Sequence, residues 1–372
     1  MESRTKGPVS ARRCRSIGMA VLLSSFVSTP ALAQDWIVIQ GIAGLEGWST
    51  DDGSRLLKKN EGRPVGEGIL TLWTAVQLHP KLQLMALGEI EGVAGVGSGG
   101  EGEFEVEQLA LRFASSPSFV LEAGKILSPV GSFASRRFST TNPVIGSPDS
   151  YQVGYPWGVS VTGRSGRFDY RAGLVSEPVI NRKYLPEPTD RLRPAIGAGV
   201  TLATGFRVGA SFTQGSYLNR DQASAIPQGA EWEDFDQRLV AFDGRFSRGH
   251  SELRAEFSLS SYDVPTVADA VDGKAGYLEL KHTWSPRFFT AIRVEGNDYA
   301  FIRLRDNGQW FSTAVAFWNG EAGVGFWLSR DSLLKVSYRG DRWAEAENGY
   351  ALAFQFSHKF DVMQWLGQGM VR

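Results

Sequence analysis

The feature that most constrains this chain is a pair of repeating signals: runs of alternating apolar and polar side chains, joined by connections that are short and long in turn. Leu253, Ala255, Phe257 and Leu259 share one face of such a run, and Glu252, Arg254, Glu256 and Ser258 share the other. The same two-residue period sets Leu278 and Leu280 opposite Tyr277, Glu279 and Lys281. It sets Ile292 and Val294 opposite Arg293 and Glu295, Leu84 and Ile90 opposite Gln83, Glu89 and Glu91, and Phe206 and Val208 opposite Arg207. Successive side chains of a strand point to opposite faces, so every run has one apolar and one charged face. Charge at this density suits a sheet closed around water with its outer face against lipid.

A soluble sandwich also alternates, with its charged face in solvent. The connections separate the two cases. Short ones fall at 79–81, 115–118, 163–166, 203–205, 247–250, 285–287 and 329–332, and long ones at 47–66, 94–102, 128–156, 176–194, 216–235, 263–273 and 340–349. Outer-membrane barrels join strands by short periplasmic turns and longer external loops. The fold class expected is therefore all-β, a transmembrane antiparallel β-barrel. Residues 298–329 leave two strand counts: one long strand running to Ser329 gives sixteen, and an extra hairpin turning at Asp306-Asn307-Gly308 and at Asn319-Gly320 gives eighteen. Both are even, as both termini in the periplasm require, and sixteen is preferred.

The ends of the chain agree with export. Arg4, Lys6, Arg12, Arg13 and Arg15 precede the apolar stretch 17–27, which is too short to span a bilayer, and Ala31 and Ala33 offer a signal-peptidase site. Residues 1–33 are read as a cleavable signal peptide and 34–360 as the barrel. Cleavage removes five basic residues and one acid, taking the net charge from −1 to −5 and excluding nucleic acid as a partner. It also removes Cys14, the one cysteine, so an exported chain must hold together without disulfides. The last run, Tyr350, Leu352, Phe354, Phe356, His358 and Phe360, resembles the terminal signal read by the outer-membrane assembly machinery. Here an extension, 361–372, follows it.

The connection 128–156 is the longest in mid-chain and is stiffened by Pro129, Pro143, Pro148 and Pro156. Folded inward, it would narrow a pore and place Arg136, Arg137 and Asp149 at the constriction. Folded outward, it would present the arginines to lipopolysaccharide phosphates. The side chains expected to line the lumen are Glu89, Glu91, Glu103, Glu105, Glu107, Lys125, Arg171, Arg207, Arg254, Glu256, Lys281 and Arg293, with Arg238 on the same reading. The glutamates of 89–107 either form an acidic wall facing a basic one or pair structurally with Arg112.

Three segments carry a family resemblance: Leu121 to Gly131, Asn142 to Gly146, and Glu321 to Arg330 with Leu334 to Arg339. In these the chain resembles porin-like outer-membrane proteins related to the phosphate-selective porins. The resemblance implies a pore, and phosphate-selective members line theirs with stacked arginines and lysines. Here the expected lining mixes bases with many acids.

Enzymatic chemistry finds little support. His79 and His250 fall in expected turns, and His282 and His358 fall on lipid-facing phases. No catalytic, cofactor or metal-ligating set is assigned. A GxGxxG match at 95–100 lies in a hairpin loop with no helix after it. The expectation is a Gram-negative outer-membrane pore passing small hydrophilic solutes or ions, in contact with outer-membrane lipid and lipopolysaccharide, with a homotrimer implied by related pores. The alternative is a structural or adhesive barrel acting through external segments such as 184–193 and 232–236.

Overall fold

The computed structural model describes residues 36–51, 64–95, 102–148, 155–176, 191–218, 220, 225–304, 309–344 and 348–364. Sixteen strands follow one another in sequence order around a closed antiparallel barrel. They are β1 Ile37–Thr50, β2 Val65–His79, β3 Leu82–Gly95, β4 Gly102–Ser116, β5 Phe119–Lys125, β6 Trp157–Ser165, β7 Phe168–Val175 and β8 Arg193–Ala203. Then come β9 Phe206–Ser216, β10 Asp236–Arg248, β11 Ser251–Tyr262, β12 Val271–Ser285, β13 Phe288–Leu304, β14 Trp310–Trp327, β15 Ser332–Trp343 and β16 Gly349–Asp361. Pairing of β1 with β16 leaves no free edge across the seam.

The alternation fixes which face is which. Leu253, Phe257, Leu259, Leu278, Leu280, Ile292 and Val294 are exposed on the outside, while Glu256, Glu279, Arg293 and Glu295 are buried within. Exposed rings mark both rims: Phe168 and Trp284 near the short turns, Trp157 and Trp318 towards the long loops. Such aromatic girdles sit at the two membrane interfaces. The tight turns at Gly205 and Gly249 use positive φ, 81° and 58°, which glycine adopts without steric cost.

The count is sixteen because Asn319-Gly320 is not a turn. Asn319 points inward and its amide donates to Glu295 Oε2 at 2.8 Å, so β14 runs straight through the dipeptide. The reversal falls between Leu304 and Trp310, where Asn307-Gly308 lies outside the described residues.

The wall is uneven in height. β5, β6 and β7 have 7, 9 and 8 residues, whereas β13 and β14 have 17 and 18. A bulge in β4 adds a second irregularity: Gly88 pairs with Val106 while Leu87 pairs with Gln108, leaving Glu107 unmatched. Phe104 and Val106 face out before the bulge, and Leu109 and Leu111 after it. One inserted residue thus keeps the apolar face on the lipid side.

Candidate pore constriction

Lysines and arginines near the lumen do not all end there. Lys125 is in register with Leu109 and with Trp157, both outward, so its own phase is outward. It is the last residue of β5, and its ammonium reaches over the β4 edge to Val106 O at 2.7 Å and Glu105 Oε1 at 3.2 Å. A long stem allows that detour. Lys125 is therefore corrected from a lumen-lining residue to an edge tie. Arg238 shares the outward phase of exposed Phe242 and is itself exposed, so it too leaves the lumen.

The loop between β5 and β6 folds inward, as the first of its two readings has it. It crosses the lumen because its apolar residues find cover on the far wall. Val130, Phe133 and Val144 are about 1% exposed or less, and Phe133, in a 3-10 turn of Phe133–Arg136, packs edge-on to Tyr277 at 5.9 Å. Around this contact lies a buried ionic clamp. Glu279 accepts from Arg136 through one oxygen (2.5 Å) and from Arg293 Nε through the other (2.9 Å), and both guanidinium groups lie over the Phe133 ring. Further along, the backbone N–H groups of Ile145 and Gly146 both donate to Glu321 Oε1 at 3.0 Å. Lys335 Nζ donates to Asn142 O and Val144 O at 3.0 and 2.8 Å, and Arg293 donates to Asn142 Oδ1 and Gly146 O. Glu256 accepts from Ser132 N at 2.9 Å.

This geometry corrects the role of Arg136. Its side chain is 6% exposed and faces the wall, so its charge is spent on Glu279 and does not stand in open water. Glu256 and Arg293 point inward but likewise serve the clamp. Two of the three segments carrying the family resemblance meet here, since the tip Asn142–Gly146 docks on Glu321 of β14 and Lys335 of β15.

Arg137 takes the opposite direction. Its guanidinium lies 3.7 Å from Glu89 and 3.4 Å from Glu107 and stacks over Phe138 and Tyr155. Burial works to lower its pKa, but Tyr155, Glu107 and Glu89 outweigh that and hold it above its usual range. Above it is a cavity of about 410 Å3 lined by Glu46, Glu67, Glu89, Glu91, Trp48 and Gln355 among others. Phe138 also lines a lower cavity of about 770 Å3, and its ring meets Trp73 edge-on at 4.6 Å between the two. Glu103 and Glu105 are opposite Glu91 and Glu89 in register and share their inward phase.

A third cavity, about 540 Å3, lies under the first half of the loop. Its charge is basic: Arg112, Arg164, Arg171 and Arg207 meet Asp169 and Asp243. Arg207 is bonded to both aspartates, 2.6 Å from Asp169, and Arg171 is 4.0 Å from Asp243. Arg254 is tied to Glu252 at 2.6 Å, and Lys281 lies over the Phe289 ring.

Alternation did not foretell that residues 217–218 and 225–235 would also turn inward. Tyr217 and Leu218 are fully buried, and Ile226, Trp232 and Phe235 pack with Ile126, Val130, Leu239, Ile302 and Trp310. Trp310 donates to Ala225 O at 2.9 Å and Tyr217 to Asp263 O at 3.0 Å. Within segment 232–236, read as an external contact, Trp232 and Phe235 pack on this cluster, while Glu233 pairs with half-exposed Arg191. The signal that could have found it is the run of large apolar residues in a supposed outer loop opposite inward Ala195, Leu239 and Ala241.

The outward histidines each bond a cross-strand serine: His282 with Ser251 at 2.8 Å and His358 with Ser332 at 2.9 Å, through Nδ1. Asp149, residues 1–33 expected as a signal peptide, residues 96–100 of the glycine motif, residues 184–190 and the end of the extension lie outside the described residues.

The closed antiparallel barrel is a fold that solved outer-membrane proteins share. Salmonella typhi OmpF in complex with daunomycin superposes with a TM-score of 0.60 at 12% identity, covering 87% of this chain and 97% of that one. An anion-selective porin from Comamonas acidovorans gives 0.57 at 10% identity, covering 87% and 99%. A loop L8 deletion mutant of OmpT, an outer membrane protein of Vibrio cholerae, gives 0.55 at 11% identity, again covering 87% and 99%. No protein-family model and no curated protein sequence matches the chain.

Proposed function

We propose that this protein is an outer-membrane porin that passes small hydrophilic solutes by diffusion along one side of its lumen, with a preference for cations. The observation that carries this reading is the water-accessible acidic cavity on β1–β3 and β16, beside Arg137 and the Trp73–Phe138 pair. Fixed charge in a narrow, low-dielectric passage raises the local concentration of the opposite ion. Phosphate selectivity is not supported, because three of the four arginines of the basic cavity, Arg112, Arg171 and Arg207, are engaged with Glu122, Asp169 and Asp243. Planar-bilayer recording of the refolded protein tests the reading: discrete conductance steps and a reversal potential of cation sign in a salt gradient are expected. A folded protein with no steps would overturn it and favour the structural or adhesive alternative, which has the packing of Tyr217, Leu218, Ile226, Trp232 and Phe235 on its side.

The same proposal includes the address and the assembly. Residues 1–33 are removed during export, so the mature chain begins at Gln34, which amino-terminal sequencing of outer-membrane fractions checks. β5 and β7, at 7 and 8 residues, are shorter than the about nine to eleven residues a strand needs to cross the hydrocarbon. That low wall supports self-association, as in a homotrimer, and light scattering of the detergent-extracted protein measures it.

A further inference from the structure

On the side of the barrel away from the low wall, the outward face of β10–β14 is grooved. Five residues at one level are consecutive partners in register: Phe242, Phe257, Gly276, Gly296 and Trp318. Two bare glycines thus form a floor between rings. Trp318 is 67% exposed and its ring lies over Gly296, where a Cβ would come within 2.8 Å of it. One level towards the periplasm, Leu278 and Val294 continue the floor, and Gly244 opens its edge. The cavity is about 760 Å3 and almost wholly apolar.

Its outer end is charged. Lys274 lines it directly, Arg342 is in register with Trp318, and Arg238 stands above Phe242 on β10. All three are exposed, and none has an ion pair among the described residues. Asp298, opposite Lys274 in register, closes no bridge to it. The inward cations contrast with this, since Arg136, Arg207 and Arg293 are all bonded to carboxylates. Each of the three outward cations stands about ten residues above its periplasmic turn, the depth at which a strand leaves the hydrocarbon. Lysines and arginines at that level attract lipid phosphate.

We propose that this groove binds one phosphorylated glycolipid of the outer leaflet, an acyl chain lying over Gly276 and Gly296 and a phosphate held by Lys274 and Arg342. The inference rests on the outer-membrane placement but not on conduction. Lipid A is the probe, with phosphatidylethanolamine as comparator, in native mass spectrometry of the folded protein released from detergent. One lipid A per chain is expected, retained at higher collision energy than phosphatidylethanolamine. Lys274→Ala with Arg342→Ala should weaken binding roughly tenfold or more, the loss of charge-assisted contacts to one phosphate. Gly244→Leu should block the groove without strain, because a Cβ there meets nothing within 4 Å. Equal retention of the two lipids, or lipid A binding unchanged in both variants, would overturn the proposal. Bilayer conductance of the same variants should stay at the wild-type value, so that a failed lipid site is distinguishable from a failed pore.

Discussion

The two sides of the lumen are built from the same alternating pattern and reach opposite ends. On β8–β14 the inward residues Ala195, Leu239, Ala241 and Tyr262 are buried with Ile126 and Val130 of the first loop and Tyr217, Leu218, Ile226, Trp232 and Phe235 of the second, forming a core much like that of a soluble protein. On β1–β3 the inward residues include Glu46, Glu67, Glu89 and Glu91, and a cavity stays open before them. Inward direction is therefore set by period, while dry or wet is set by what stands at each inward position. A small or apolar residue invites a loop to cover it; a cluster of carboxylates that outnumbers its cations keeps water.

Ways of breaking this contrast differ in size. Glu279→Ala leaves Arg136 and Arg293 facing each other without their shared carboxylate, and removing one partner of a buried pair costs about 3–5 kcal/mol. Its unfolding temperature should fall and its conductance should rise as the loop loses its clamp, both read on the same purified protein. Leu218→Ala cuts into the packed side, where large-to-small changes cost about 2–5 kcal/mol. Thermal unfolding should show that loss with ion preference retained. On the wet side, Glu67→Gln with Glu91→Gln, two cavity carboxylates with no ion pair among the described residues, should cost less stability than either of these yet move the reversal potential towards anions. An unmoved potential would break the assignment of the acidic route. The smallest effect belongs to salt: cation preference should fade between 0.1 and 1 M, as the screening length shrinks from about 10 to about 3 Å.

Much of the barrel could be read from alternation and loop spacing, including the strand count and the inward phase of Glu256, Glu279, Arg293 and Glu295. What escaped depended on partners distant in sequence. Arg136 and Arg137 are adjacent in the chain and carry the same charge, yet one is buried against β12 and the other lies against β3 and β4. Nothing local distinguishes them. Lys125 and Arg238 failed for another reason, because a cation on the lipid phase is tolerated at a strand end, where its stem reaches polar surroundings. Loop 217–235 has no period at all, so only its apolar content hinted at where it goes.

The clamp on the first loop also dictates an order of events. Ile145 bonds Glu321 across 176 residues of chain, and Lys335 bonds Asn142 across 193. Contacts so distant form late, after the chain between them is in place. The barrel must lay down its last third before its own passage is narrowed. A chain halted before β14 would lack Glu321 and Lys335 and keep, of these bonds to the loop tip, those of Arg293. Tightness of the finished wall and tightness of the passage are thus completed by the same closing strands.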